Sequence, residues 1–86
     1  MSKIGVYFTL RAEKDLRKIN FIGRKKIQKG IYRLEKDNNA GKKLQGDLQN
    51  RYSLKAWPYR IIYKIKKKEL IIEVIEIEHR GGAYRR

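Results

Sequence analysis

Residues 51–79 constrain this chain more than any other stretch, because they carry three strand-like runs with almost nothing between them. The runs fall at about 51–56, 59–66 and 70–79, rich in Ile, Val and Tyr. Trp57-Pro58 joins the first pair tightly, and Lys67-Lys68-Glu69 joins the second. Such a unit has one apolar face to bury, so the rest of the chain must supply a cover. Lys3 to Phe8 reads as a further short strand. Thr9 can cap a helix in which Leu10, Leu16 and Ile19 lie near helical spacing. Asn20 and Gly23 bracket a break. A second helix runs from about Arg24 to Lys36, with Ile27, Ile31 and Leu34 at i, i+4 and i+7. Arg24, Lys25, Lys26, Lys29 and Arg33 take its wet side. Asp37 to Gly41 is rich in turn formers and ends the helices, and Lys42 to Asn50 is a polar connector.

The order β-α-α-β-β-β predicts an α+β fold over residues 1–86 as a single domain. An N-terminal strand and a two-helix hairpin pack on one face of a small, mainly antiparallel four-stranded sheet. Successive strand side chains point to opposite faces. Tyr52, Leu54 and Ala56 therefore oppose Arg51, Ser53 and Lys55. Tyr59, Ile61, Tyr63 and Ile65 oppose Arg60, Ile62, Lys64 and Lys66. In the last run Ile71, Glu73, Ile75, Ile77 and His79 share one face, against Ile72, Val74, Glu76, Glu78 and Arg80. With the apolar sets under the helices, Lys55, Arg60 and Arg80 emerge together on the open face. Glu76 and Glu78 are expected to pair across strands with Lys64 and Lys66.

The charge says what such a face meets. The formal net charge is +14, and residues 1–68 contain 20 Lys and Arg against five Asp and Glu. That much like charge opposes compactness, so a polyanionic partner is the economical explanation. The absence of Cys excludes a disulfide framework, a thiolate nucleophile and a cysteine zinc site. A lone His and nine scattered acids argue against a metal cage built from protein alone. No apolar run suggests a signal peptide or a membrane span, so a soluble cytoplasmic domain is expected.

Metal-free RNA cleavage needs the 2′-hydroxyl to attack the adjacent phosphorus in line. A catalyst must help deprotonate that hydroxyl, stabilise charge on the phosphorane and protonate the leaving 5′-oxygen. Arg suits the second task, because its planar fork pairs two phosphate oxygens and keeps its proton. Lys and Tyr can exchange protons in a cationic neighbourhood, and aromatic rings can stack on unpaired bases. Lys55, Arg60, Arg80 and Tyr84 together offer that division of labour.

Leu44-Gln45-Gly46, Tyr52-Ser53-Leu54-Lys55, Tyr59-Arg60-Ile61-Ile62-Tyr63 and the ending His79-Arg80 to Tyr84 resemble the RelE/ParE superfamily of toxin–antitoxin systems. The RelE-like branch implies a ribosome-dependent mRNA endonuclease that cuts A-site codons with no metal or organic cofactor. By that resemblance Arg60 binds phosphate and Arg80 stabilises the transition state. Tyr84 stacks on the target base and aids the attack, and Lys55 serves proton transfer or charge stabilisation. The family pattern places a second lysine in some members where this chain has Ser53. The resemblance also implies a cognate antitoxin as partner, with mRNA and the ribosome as targets and DNA reached only indirectly through the antitoxin. Arg24, Lys25, Lys26, Lys29 and Arg51 are candidates for gripping RNA phosphates. A ParE-like inhibitor of DNA gyrase, and an inactive RNA-binding relic, are the alternatives.

Several of these residues have plainer roles available. Arg60 can form a cross-strand ion pair with Glu76 or Glu78. Lys55 can be a solvated strand lysine, and Tyr84 can pack a chain end. His79 shares the face of Ile75 and Ile77, towards the helices, which favours a partly buried histidine over a general base. Trp57 beside Pro58 is expected to clamp the strand connection, and Gly30 to mark a close helix–sheet approach.

Overall fold

A computed structural model describes residues 5–46 and 49–79. In chain order it comprises β1 (Gly5–Phe8), α1 (Leu10–Arg17), α2 (Phe21–Lys36), β2 (Lys42–Lys43), β3 (Tyr52–Ala56), β4 (Tyr59–Lys66) and β5 (Ile71–His79). A single 3₁₀ turn, Lys67–Glu69, links the last two strands, and Leu70 closes it in the left-handed region at φ 55°. One sheet results, ordered β1-β5-β4-β3-β2. Its C-terminal pairs are antiparallel, and β1 joins β5 in parallel. The α+β class and the three C-terminal strands agree with the sequence reading. The strand count does not: there are five strands, because Lys42 and Lys43 pair with Ser53 and Tyr52. Two exposed lysines carry no apolar period, so this strand leaves no pattern in the sequence.

The helices start where side chains can satisfy their first amides. Thr9 Oγ1 accepts from the Ala12 amide at 3.1 Å and opens α1. Asn20 Oδ1 accepts from the Gly23 amide at 2.8 Å and opens α2. Asn20 is therefore a cap, and Phe21 to Gly23 form the first helical turn in place of the expected break. Asn38 bonds back to the Leu34 carbonyl at 2.8 Å and helps to close α2.

Ala12, Ile19, Ile27 and Leu34 meet Leu54, Tyr59, Ile61, Tyr63, Ile72, Val74 and Ile77 in one buried cluster. Leu10, expected in the apolar stripe, is exposed, and Ala12 takes its place. The helical layer approaches the sheet closely because α2 presents glycines to it. A methyl on Gly30 would stand 2.8 Å from Ile61 Cδ1, and one on Gly23 would stand 2.5 Å from the Tyr59 hydroxyl. Gly30 thus has the packing role expected of it.

A bulge in β5 corrects the strand parity. Ile62 pairs with Glu76 but Tyr63 pairs with Val74, so Ile75 is the extra residue. Beyond it Ile77 and His79 face the helices, and Glu76 and Glu78 face away, as expected. Before it the assignment inverts. Ile72 and Val74 are fully buried opposite Ile65 and Tyr63, and Glu73 comes level with Lys64 on the open face.

The bulge lies just past the end of β1, where β5 becomes an edge. There α1 replaces the missing strand. The Thr9 hydroxyl donates to the Ile75 carbonyl at 2.7 Å, and Asp15 Oδ2 accepts from the Ile77 amide at 3.0 Å. Asp15 is buried. Its charge is partnered by Arg11, 3.5 Å away. Side chains here make the hydrogen bonds a sixth strand would make, which keeps the edge from being left unpaired.

Candidate functional site

The helices cover the face bearing Leu54, Tyr59, Ile61 and Tyr63, so alternation sends Lys55 and Arg60 to the other side. Lys55 on β3 stands directly across from Arg60 on β4, and Arg60 directly across from Glu78 on β5. A single row thus crosses three strands: Lys55, Arg60, Glu78. Lys55 is exposed, whereas Arg60 and Glu78 are half-buried. Arg60 Nη2 lies 2.6 Å from Glu78 Oε1, and Arg60 Nε lies 3.0 Å from the same oxygen. The plainer role foreseen for Arg60, a cross-strand ion pair, is therefore present. Three of the five guanidinium N–H groups are left for another acceptor.

The remaining charges on this face differ from expectation. Glu76 lies 3.1 Å from Arg11 and 4.0 Å from Arg51, and Lys66 pairs with Glu73 at 3.7 Å. The expected partnerships of Glu76 and Glu78 with Lys64 and Lys66 do not form. The bulge is the reason, since it slides Glu73 alongside those lysines and sets Glu78 opposite Arg60. Ile62 is buried on the same face, flanked along its strand by Arg60 and Lys64. The open face is thus a mixed lattice of both signs in which Lys55 is the exposed cation of the Arg60 row.

His79 turns to the other side. Its ring meets the Tyr59 ring edge-on with centroids 5.0 Å apart, as its helix-facing parity predicted. Trp57 is a correction. At the tip of the β3–β4 hairpin the residue is 67% exposed, so it does not clamp the connection. Arg80 and Tyr84 lie outside the described residues, and their juxtaposition with the row remains an expectation from sequence.

The candidate RNA-gripping residues divide between the two layers. Arg51 belongs to the open face beside Glu76. Arg24, Lys25, Lys26 and Lys29 belong to α2. Arg24 has an internal role: its Nε and Nη2 donate to the Leu16 and Arg17 carbonyls at 3.2 and 3.4 Å, closing the end of α1. Lys25 stands over the Phe21 ring, 5.1 Å from its centroid. The helical layer also carries a feature the sequence did not single out, an apolar groove of about 710 Å³ lined by Phe8, Leu16, Ile27, Ile31 and Tyr32 together with Arg24, Lys25, Gln28, Lys29 and Glu35. Its signal was Tyr32, an aromatic residue on the otherwise wet side of α2.

Comparison with known proteins covers nearly all of this architecture. The sequence profile of the ParE toxin of type II toxin-antitoxin system, parDE, matches residues 6–84. No curated protein sequence matches significantly. Among solved structures, a chain of the RelBE2 toxin-antitoxin complex from Mycobacterium tuberculosis superposes with a TM-score of 0.83 at 23% identity, covering 92% of this chain and 100% of that one. The isolated RelE toxin of E. coli gives 0.78 at 22% identity, covering 94% and 88%. The YoeB/ParE toxin from Agrobacterium tumefaciens gives 0.76 at 19% identity, covering 88% and 98%. At these identities the superpositions speak for the fold, and the profile match speaks for descent. With its two-helix cover, its five-stranded sheet and a profile match over residues 6–84, the chain belongs to the ParE toxin family of type II toxin–antitoxin systems.

Proposed function

We propose that this toxin is a ribosome-dependent mRNA endonuclease, cutting A-site codons by attack of the 2′-hydroxyl on the adjacent phosphate. The observation that carries the reading is the exposed Lys55 in register with Arg60 on the sheet face left open by the helices. Arg60 contacts a phosphate oxygen through its remaining N–H groups while its fork is held by Glu78. Arg80 adds charge to the developing phosphorane, where preorganised cations contribute most. Tyr84 stacks on the base, and Lys55 protonates the leaving 5′-oxygen. The chemistry uses no metal or organic cofactor and leaves a 2′,3′-cyclic phosphate. Arg51 on the open face contacts phosphates of the message, and Lys25, Lys26 and Lys29 on the helical layer contact those of ribosomal RNA.

A cognate antitoxin holds the toxin inactive in the cytoplasm, and any contact with DNA passes through that antitoxin. The apolar groove, whose charged lining is three cations against Glu35, suits a partner segment that is both apolar and acidic.

The test is primer extension on cellular mRNA after induced expression. Codon-phased cuts are expected, reduced about a thousandfold by Arg60→Ala, in the range for losing a charge-stabilising donor. Unchanged cutting by that variant removes Arg60 from the site. The second reading, inhibition of DNA gyrase, is favoured by the ParE profile match and by an Arg60 already engaged with Glu78. DNA breaks without mRNA cuts would establish it. Growth unaffected by induction, with neither lesion, would mark the chain as an inactive relic.

A further inference from the structure

The row on the open face holds two cations and one carboxylate, and the proposed reaction lacks an assigned proton acceptor. We infer that Glu78 is the general base that takes the 2′-hydroxyl proton, an inference that rests on the RNA-cleaving reading above. Arg60 Nε and Nη2 both donate to Glu78 Oε1. That leaves Oε2 with no hydrogen bond among the described residues, while Oε1 stays anchored. One carboxylate thus does two things: it fixes the guanidinium fork and presents a second oxygen beside it. A phosphate held by the outer N–H groups of Arg60 would bring its ribose 2′-hydroxyl towards that oxygen.

The other candidate bases are worse placed. Glu76 is engaged by both Arg11 and Arg51, and Glu73 by Lys66. His79 faces the helical layer against Tyr59. Lys55 enters as an ammonium, which has no lone pair to accept a proton. Glu78 is the carboxylate directly opposite Arg60 in the register of the sheet.

The step balances. As the O2′–P bond forms, the 2′-hydroxyl proton passes to Glu78 Oε2. As the P–O5′ bond breaks, the Lys55 ammonium gives a proton to O5′. The products are a 2′,3′-cyclic phosphate and a 5′-hydroxyl, and exchange with water restores the charged forms of both side chains.

The experiment is single-turnover cleavage by the purified full-length chain on ribosomes programmed with short synthetic mRNAs. One message is ordinary, one carries a 5′-bridging sulfur at the cut mapped for the wild type, and one carries 2′-deoxyribose there for affinity. Glu78→Gln is expected to lose about a hundredfold or more in rate, the usual range for a general base. The loss should persist with the sulfur leaving group, which needs no protonation. Affinity for the 2′-deoxy complex should hold or tighten, since a negative charge has been removed. Lys55→Ala should instead recover on the sulfur message. Glu78→Asp, which keeps the carboxylate, should retain part of the activity, and circular dichroism checks that each variant is folded. Cleavage by Glu78→Gln at or above the wild-type rate overturns the inference and makes Glu78 a restraint on Arg60. Rescue of Glu78→Gln by sulfur, or a loss explained wholly by weaker binding, also overturns it. Wild-type protein that cuts no message overturns the RNA-cleaving reading itself, which is a different failure.

Discussion

The Tyr63 hydroxyl is buried with no hydrogen-bond partner among the described residues. It stacks on Tyr52 and presses against Gly41, where an added methyl would collide with it. Burial pushes its pKa above the ordinary value of about 10, and the nearby Gly41 backbone offsets this only in part, without reaching hydrogen-bond geometry. The stability tied to keeping this phenol neutral is therefore complete below about pH 10 and is lost as pH rises through the higher folded value. Tyr63→Phe is expected to gain about 1 kcal/mol at neutral pH, because an unpaired buried hydroxyl disappears. It should also flatten the alkaline loss in urea titrations across pH 8 to about 11. A clear destabilisation would mean that the hydroxyl is satisfied in solution. At this scale the sequence marked Lys55 and Arg60 as neighbours by alternation alone. It left Glu76 and Glu78 open as partners of Arg60, since choosing between them required a register. Trp57 was misjudged because a tight connector says nothing about which way its ring leaves the turn.

Among the elements, β5 and α1 depend on one another most. Where β1 stops, the polar groups of β5 are met by Thr9 and Asp15. Asp15→Ala should leave the Ile77 amide buried and unpaired, at a cost of about 2 kcal/mol. Thermal unfolding would read this as a fall of roughly 8–16 °C for a chain of this size. Asp15→Asn keeps an acceptor and should fall less, and faster hydrogen exchange at Ile77 would locate the damage. An unchanged Tm in Asp15→Ala would mean that the edge finds another partner. The helix cap at Thr9 and the strands of the C-terminal half were legible, because each rests on local chemistry. The bulge at Ile75 was not: parity counting assumes an unbroken period of two, and no Gly or Pro marks the interruption. Its effect was to exchange the faces of Ile72, Val74 and Glu73, and so to redraw the ion pairs of the open face.

Across the whole molecule, the charge is spread over two surfaces with different neighbours. The open face interleaves cations with Glu73, Glu76 and Glu78, whereas α2 places Arg24, Lys25 and Lys29 around an apolar groove. Binding of a short single-stranded RNA should weaken steeply with salt. If the message lies on the open face, Lys55→Gln lowers the slope of log affinity against log salt by about one. Lys26→Gln, on the helical layer, leaves that slope unchanged. Anisotropy of a labelled RNA across a salt series measures both. The reverse pattern would move the RNA to the helical layer.

The sequence by itself determined the α+β class, the helix cap at Thr9, the strand runs and the basic character of the surface, because these follow from local periodicity, side-chain chemistry and charge. Only the tertiary structure decided that Glu78 holds Arg60, that Asp15 completes the edge of β5, that Lys42 and Lys43 form a strand, and that a groove opens over α2. Each of those depends on pairing register or on the approach of distant segments, and a single bulged residue is enough to change the outcome.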